Sequence, residues 1–438
     1  QAGAARSLKT ESLLVKFGAG AQPDKQKIES AETLAPATIE TKTGDEATEL
    51  RAKKFVTQFG ASGKLEKLLG HSGVEVRRAI SKGAPQVSSS AELAATFAPN
   101  GEWDTLDQSG NVRFQQGDRR ASAERAKFVR ATELIALDGS PVIFDAISRT
   151  TAGSVTINQK SGEIKATGNV VSTYLAAGAA GAAGTAGAGA MNLGSGPAHI
   201  SADTLSGSTT SGHVVYLGRA RLWQGESVLD AKQIEVWRDE KKLEATGNVV
   251  AVFPQASSTA LGGPGITIGP APGQSTTAKK SSDKPSTDVP AAGPTLWTIH
   301  APILTYWDER ATAVLDGGVL ASSRQGELTC RKLTVYLFQG TSQASSQAVG
   351  FTGRGQVSRF TAEDHVVIRE GDRRATSERA LYTAPDQKFV LSGGEPTISD
   401  ANSDTTTGHS LTFFVANDTI LIDSQQGTRT LTKHRVEK

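Results

Sequence analysis

The chain has 438 residues, 37% of them hydrophobic and 5% aromatic, and a net charge of +2. That balance leaves no electrostatic footprint for nucleic acid. The apolar content is thin for compact cores at this length and suits an elongated stack of narrow layers, each packing on its neighbours. A single cysteine, Cys330, excludes an intrachain disulfide framework and any cysteine-rich metal site.

From the N-terminus the chain begins at Gln1, which suggests that a signal peptide, an N-terminal anchor or leading residues of expression origin were removed. No run approaches the roughly twenty apolar residues of a membrane span. Residues 1–175 read as β repeats with short loops. The one helical signal there is Lys64-Leu-Glu-Lys-Leu-Leu, a short turn of helix or a strand. Residues 176–197 are Gly/Ala-rich and read as a mobile insertion. Residues 198–438 resume the repeats, with Pro/Gly/Ser-rich and Gln/Ser/Gly-rich insertions at 254–294 and 339–356 that are expected to be disordered.

The repeat is clearest in a duplicated decamer, GDRRASAERA at 117–126 and GDRRATSERA at 371–380. A looser pattern, a small residue with an apolar one three places on, recurs from Ala123, Ala152, Ala202, Ala231, Ala301, Cys330, Ser377 and Gly408. The intervals 123 to 152, 202 to 231 and 301 to 330 are all 29 residues. Between these sit alternating segments that end in turn chemistry, such as Ile164-Lys-Ala-Thr-Gly-Asn and Leu243-Glu-Ala-Thr-Gly-Asn. Period-two alternation predicts strands with one buried face, roughly three strands of five to eight residues in each unit of about thirty. Cys330 takes the small-residue slot and reads as a buried small hydrophobe.

Several residues carry the match to a known family. They are Gly110-Asn-Val-Arg-Phe-Gln-Gln-Gly117, Ala123 to Phe128, Leu137 to Gly139 and Pro141-Val-Ile-Phe144. A second set is Val366 to Ile368, Gly371 to Tyr382, Phe389 to Gly393, Pro396 and Thr407 to Phe414. This ordered recurrence resembles the OstA-like family, which includes LptA, LptC and the N-terminal domain of LptD. The chain is about two to three times the length of one such domain and looks like an expanded form. The resemblance implies an all-β fold, a twisted, V-shaped antiparallel β-jellyroll open along one side. It also implies a non-catalytic role: shielding lipopolysaccharide acyl chains as a periplasmic bridge between inner and outer membranes. The implied partners are lipopolysaccharide, an inner-membrane ABC transporter complex and an outer-membrane translocon, joined by edge-strand pairing, with head-to-tail self-association. The implied place is the periplasm, with a removed N-terminal segment as an inner-membrane tether. No cofactor or metal is expected.

Period two then nominates the groove lining. On the first hairpin it selects Val112, Phe114, Ala121, Ala123, Ala126 and Phe128, followed by Ile135, Leu137, Ile164 and Val170. In the middle it selects Ile234, Val236, Leu243, Val249, Leu304, Tyr306, Leu333 and Val335. Toward the end it selects Val366, Ile368, Phe389, Leu391, Leu411 and Phe413. These side chains either fill a dry core or line a groove; the many alanines favour a groove, because small residues leave space between sheets about 10 Å apart. Arg119, Arg120, Arg373 and Arg374 are candidate phosphate contacts at the groove mouth. The plainer alternative is exposed strand charge that discourages wrong pairing, with Asp118, Glu124, Asp372 and Glu378 as local partners of the arginines.

Enzyme readings find no support. The seven histidines show no metal-ligand spacing, and His365 and His409 fall inside predicted strands. There is no phosphate loop, dinucleotide fingerprint or nucleophile elbow. Two rival readings remain, a structural or adhesive surface β-solenoid and a carbohydrate-binding β protein. Glycine turns argue for hairpins against the first. Scattered Trp103, Trp223, Trp237, Trp297 and Trp307, expected in core or edge roles, argue against the second.

Overall fold

A computed structural model describes residues 5–18, 27–43, 46–79, 83–174, 197–208, 210–254, 296–324, 326–338, 357–399, 405–414, 419–423 and 431–433. The insertions predicted at 176–197, 254–294 and 339–356 lie outside these residues, apart from their flanks.

The described chain is all strand and turn. Ten short strands come first: β1 Ala5–Thr10, β2 Leu13–Gly18, β3 Lys27–Thr33, β4 Ala37–Thr43, β5 Glu46–Ala52, β6 Lys54–Phe59, β7 Leu65–His71, β8 Val74–Ala79, β9 Gln86–Ser90 and β10 Glu92–Phe97. A long hairpin follows, β11 Trp103–Gln116 and β12 Arg119–Val129, then the shorter β13 Leu134–Asp138, β14 Val142–Phe144, β15 Ser148–Thr151 and β16 Ser154–Asn158. The middle is built of long strands: β17 Glu163–Tyr174, β18 Ala198–Ser208, β19 His213–Gln224, β20 Ser227–Trp237, β21 Lys242–Pro254, β22 Leu296–Trp307, β23 Thr312–Ser322, β24 Glu327–Leu337, β25 Val357–Glu370 and β26 Arg373–Thr383. Short strands close the chain: β27 Lys388–Ser392, β28 Thr397–Ser399, β29 Thr405–Thr407, β30 Ser410–Phe414, β31 Thr419–Asp423 and β32 Leu431–Lys433.

All pairing is antiparallel and resolves into two ladders. The first runs β1, β4, β5, β8, β9 and then the C-terminal half of β11. The second runs β2, β3, β6, β7, β10 and then the N-terminal half of β11. From β11 onward each long strand serves both, one half per ladder, with a register shift between the halves. Where strands are short, the two halves are simply separate: β12 pairs β13 through one half and β14 through the other. The first ladder ends in β28, β29 and β32, the second in β27, β30 and β31.

The shared strands make a crease along which the ladders fold toward each other. Its chemistry is the repeat. Alternate strands cross the crease with consecutive positive-φ residues, as at Gly110-Asn111, Gly168-Asn169, Gly218-Arg219, Gly247-Asn248 and Gly317-Gly318. The intervening strands place their small residue there: Ala123, Ala202, Ala231, Ala301, Cys330 and Ser377 are all buried at the register shift. They are small because the two ladders converge there, so the alanines mark the apex of the fold and not open space within it. Where the slot holds a polar atom, it satisfies a carbonyl that the shift frees. Ser90 Oγ donates to Glu92 O (2.8 Å), Cys330 Sγ to Lys332 O (3.3 Å) and Ser377 Oγ to Arg379 O (2.9 Å). Burial pushes the Cys330 thiol pKa up to about 12, so the thiol stays protonated near neutral pH.

Two expectations change, and a third settles on the strand of its two alternatives. The central unit is two bent strands of 11 to 13 residues, such as β20 and β21, instead of about three short ones. Gly-Asn there bends a continuing strand and does not end it. Lys64 precedes a strand, β7, and no helix forms among the described residues. His409 lies on the bend before β30 and is exposed, while His365 is within β25 at a positive φ of 55°.

Two apolar cores occupy the interior. A small one joins Ala37, Leu50, Ala52, Phe55, Leu68, Val74, Leu93 and Ala95. The larger runs without interruption from Ala123 to Leu411. It passes through β17 and β18, which pair along both halves on either side of residues 175–196.

Candidate functional site

Among the described residues, every repeat contributes to the space between the ladders. Alternation delivers it: in β20 Leu229, Ile234 and Val236 are buried, whereas Lys232 is exposed. Fifteen of the nominated lining residues are buried: Val112, Ala123, Leu137, Val170, Ile234, Val236, Leu243, Val249, Leu304, Tyr306, Leu333, Val335, Val366, Leu391 and Leu411. The other nine, Phe114, Ala121, Ala126, Phe128, Ile135, Ile164, Ile368, Phe389 and Phe413, are half-buried and lie toward the two ends. Openness therefore grows from the middle outward.

The middle is filled by side chains that reach across. Trp297 on the first ladder meets Phe360 on the second edge-on, with ring centroids 5.5 Å apart. Phe360 in turn stacks on Tyr382 at 4.9 Å, and Tyr382 lies 4.7 Å from Phe389. A second crossing is polar: Tyr174 Oη on the first ladder lies 2.6 Å from Tyr216 Oη on the second. Burial first, and then the neighbouring Tyr174, push the Tyr216 phenol well above its usual pKa, so it stays a neutral hydroxyl. Beside it Arg238 faces Asp145 at 3.7 Å. Burial acts to lower the Arg238 pKa, but Tyr174, Asp145 and Tyr216 outweigh it and raise it.

Apart from Phe389, none of these bridging residues was nominated as lining from sequence. Tyr174 follows Val170 and Ser172 in strict alternation, and Tyr216 follows Val214, so period two contained a signal for both. Asp145 and Arg238 sit in turns, where the period carries no information.

The duplicated decamers form equivalent hairpins. Each begins in a turn with positive φ at Gly117 or Gly371, the first central position of a type II′ turn. In one Val112 opposes Ala123 and Phe114 opposes Ala121; in the other Val366 opposes Ser377 and Ile368 opposes Ala375. Arg119, Arg120 and Arg374 are exposed and Arg373 is half-buried, all next to these turns. Arg379 pairs across the strands with Glu363 at 2.8 Å, and not with its sequence neighbours Asp372 or Glu378.

The tryptophans divide by face. Only Trp297 is buried. Trp237 stacks on His213 at 4.8 Å and lies 4.2 Å beneath Lys242; Trp223 stacks on His199 at 5.0 Å. These are cross-strand neighbours on the outer faces, and such pairs stabilise a sheet. His213 also pairs with Glu235, and His71 with Glu92. Among the described residues no group of three His, Cys, Asp or Glu side chains could hold a metal ion.

Comparison with known proteins bears on the same region. Residues 298–419, which run from β22 to the start of β31, match the family described as "LptA/(LptD N-terminal domain) LPS transport protein". No curated protein matches the chain. Among solved structures it is similar to LptH from Pseudomonas aeruginosa, described as the LptA homologous periplasmic component of the conserved lipopolysaccharide transport device. The identity is 12% and the TM-score 0.26, over 32% of this chain and 95% of that one. The creased two-ladder repeat of 298–419 is the same one that runs through β11 to β21. Through that segment the chain is similar to the OstA-like family of lipopolysaccharide transport proteins.

Proposed function

We propose that this chain is a non-catalytic periplasmic bridge that carries lipopolysaccharide with its acyl chains between the two ladders. The observation that carries this reading is an apolar interior continuous from Ala123 to Leu411 between ladders whose terminal strands have a free edge. β1 and β2 each pair on one side only, as do β31 and β32, among the described residues. Leu13, Leu14 and Phe17 at one end, and Ile420 and Leu421 at the other, are exposed beside those edges. Free strand edges accept further strands. They provide the means to join an inner-membrane ABC transporter complex, an outer-membrane translocon or another copy head to tail.

Each methylene removed from water contributes about 0.8 kcal/mol, so one fatty chain gains several kcal/mol without any chemistry. A passive conduit sets no direction; the energy-using partner supplies it. On this reading 1–175 and 198–438 are two arms of one conduit. The four decamer arginines, Arg119, Arg120, Arg373 and Arg374, stand at its outer rim, where strand-edge protection is the simpler role.

The purified chain is expected to retain radiolabelled lipopolysaccharide and to release it to excess acylated lipid A. The deacylated phosphosaccharide should compete at least tenfold less well. Equal competition by the deacylated form would mean that the saccharide, and not the acyl chains, is what binds.

A further inference from the structure

At one level of the interior, polar side chains from both ladders tie the two together. Tyr174 and Tyr216 share a hydroxyl contact of 2.6 Å, and both are buried. Ser172, also buried, bonds to Tyr216 and to Thr150 Oγ1 at 2.8 Å. Arg238 leaves the end of β20 and crosses the mouth between the ladders, its guanidinium carbon 5.6 Å from the Tyr174 ring. It ends 3.7 Å from Asp145, in the turn between β14 and β15.

The two members of that ion pair are held differently. Asp145 Oδ1 already accepts from Ile147 N at 3.0 Å, Ser148 N at 2.6 Å and Ser148 Oγ at 2.8 Å, so Asp145 is fixed in its turn. Arg238 is held less firmly: it bonds to Tyr174, but its contact with Asp145 exceeds hydrogen-bond length and its Nε–H is buried with no acceptor. A buried donor without a partner is costly and takes an acceptor when one arrives. A guanidinium offers a planar fork that fits the oxygens of a phosphate.

We propose that Arg238, Asp145, Tyr174 and Tyr216 form a latch across the mouth of the interior, opened when the phosphate of an amphiphile draws Arg238 away from Asp145. The latch divides the interior into two compartments, and acyl chains pass between them only when the tyrosine hydroxyls part. This rests on the conduit reading above and adds a headgroup-controlled step to it.

Spin labels at Ala146→Cys and Glu240→Cys, exposed positions on the two sides of the latch, read its width in the full chain. The protonated thiol of buried Cys330 leaves the introduced cysteines as the labelled sites. A pair at Arg310→Cys and Arg324→Cys reports the mouth elsewhere. Dodecyl phosphate is expected to lengthen the Ala146–Glu240 distance by roughly half the ~10 Å spacing of packed sheets. Uncharged dodecyl maltoside and inorganic phosphate should leave it unchanged, and the control pair should move less. Arg238→Ala should give the long distance without any amphiphile, and Arg238→Lys, which keeps the charge but loses the fork, should respond to dodecyl phosphate at least tenfold more weakly. An unmoved distance with dodecyl phosphate in the unsubstituted latch overturns the proposal whether or not the Arg238 variants fold. Opening by inorganic phosphate or by dodecyl maltoside overturns the headgroup role. If the latch stays shut while acylated lipid A still displaces bound lipopolysaccharide, the latch fails and the conduit reading stands.

Discussion

Leu315→Ala is expected to cost about 3 kcal/mol, within the 2–5 kcal/mol usual for a buried Leu truncated to Ala. Leu315 lies in the centre of β23, fully buried, opposite Leu304 on β22 and Leu333 on β24. Backbone packing on both sides cannot close over the lost volume, because those neighbours are themselves fixed in ladders. The chain is a stack of repeats, so the loss is local and is not a shift of one global transition. Amide hydrogen exchange in β22, β23 and β24 should speed up about a hundredfold, with β11 and β12 unchanged. Leu296→Ala, at an exposed position, should alter exchange by less than about 0.5 kcal/mol equivalent. Similar effects at both sites would mean that the interior is not packed as described.

Gly247→Ala is expected to cost more than a positive-φ penalty alone. Gly247 crosses the crease at φ 80°, and a Cβ there would sit 2.8 Å from Lys232 Cβ on the neighbouring strand. Gly63 has a similar φ of 73° but open space around it. Ala at either site bears the left-handed cost of about 1–2 kcal/mol. At 247 the close approach adds an overpacking cost of about 1–3 kcal/mol. Paired thermal melts of the two variants check this: Gly247→Ala should melt clearly lower than Gly63→Ala. Equal melting would show that the crease has room for a side chain.

Much of this arrangement was legible in the sequence, and the reasons are local. Alternation in Leu243-Glu-Ala-Thr and Val366-Val-Ile marks the inward face, because a half-buried strand must place every second residue in the core. The decamers marked equivalent hairpins, since Gly117 and Gly371 each need a turn of the same type. What alternation could not separate was a turn from a crease. Gly247-Asn248 has the composition of a hairpin turn, yet β21 continues through it, because β20 and β22 bend alongside and keep both halves paired. The meaning of the alanines changed for the same reason: Ala231 and Ala301 are small because two ladders converge on them. The bridging groups were illegible for a different reason. Arg238 and Asp145 are far apart in sequence and lie in turns, so only the facing of the ladders brings them together. Trp297 meets Phe360 and Tyr382 in the same way, through sheet-to-sheet contact that no local pattern encodes.

Under the proposed conduit role, the interior lets one chain be both a packed protein and a carrier. Its half-buried lining residues, Phe114, Ile135 and Phe128 near one end and Phe389 and Phe413 near the other, offer apolar surface where lipid would enter and leave. Its middle is filled and bridged by side chains, so the ladders would have to part there for lipid to pass. Antiparallel ladders joined along one crease can part on the opposite side without breaking a ladder hydrogen bond; only the contacts across the mouth are lost.

A photo-crosslinking amino acid placed at Phe128, Val236 or Phe413, with exposed Lys127 as the outward control, tests the conduit directly. With the transport partners active, lipopolysaccharide adducts are expected at all three interior positions and few at Lys127. Labelling as strong at Lys127 as at the interior positions, or no adducts at the interior positions, would contradict lipid passage between the ladders.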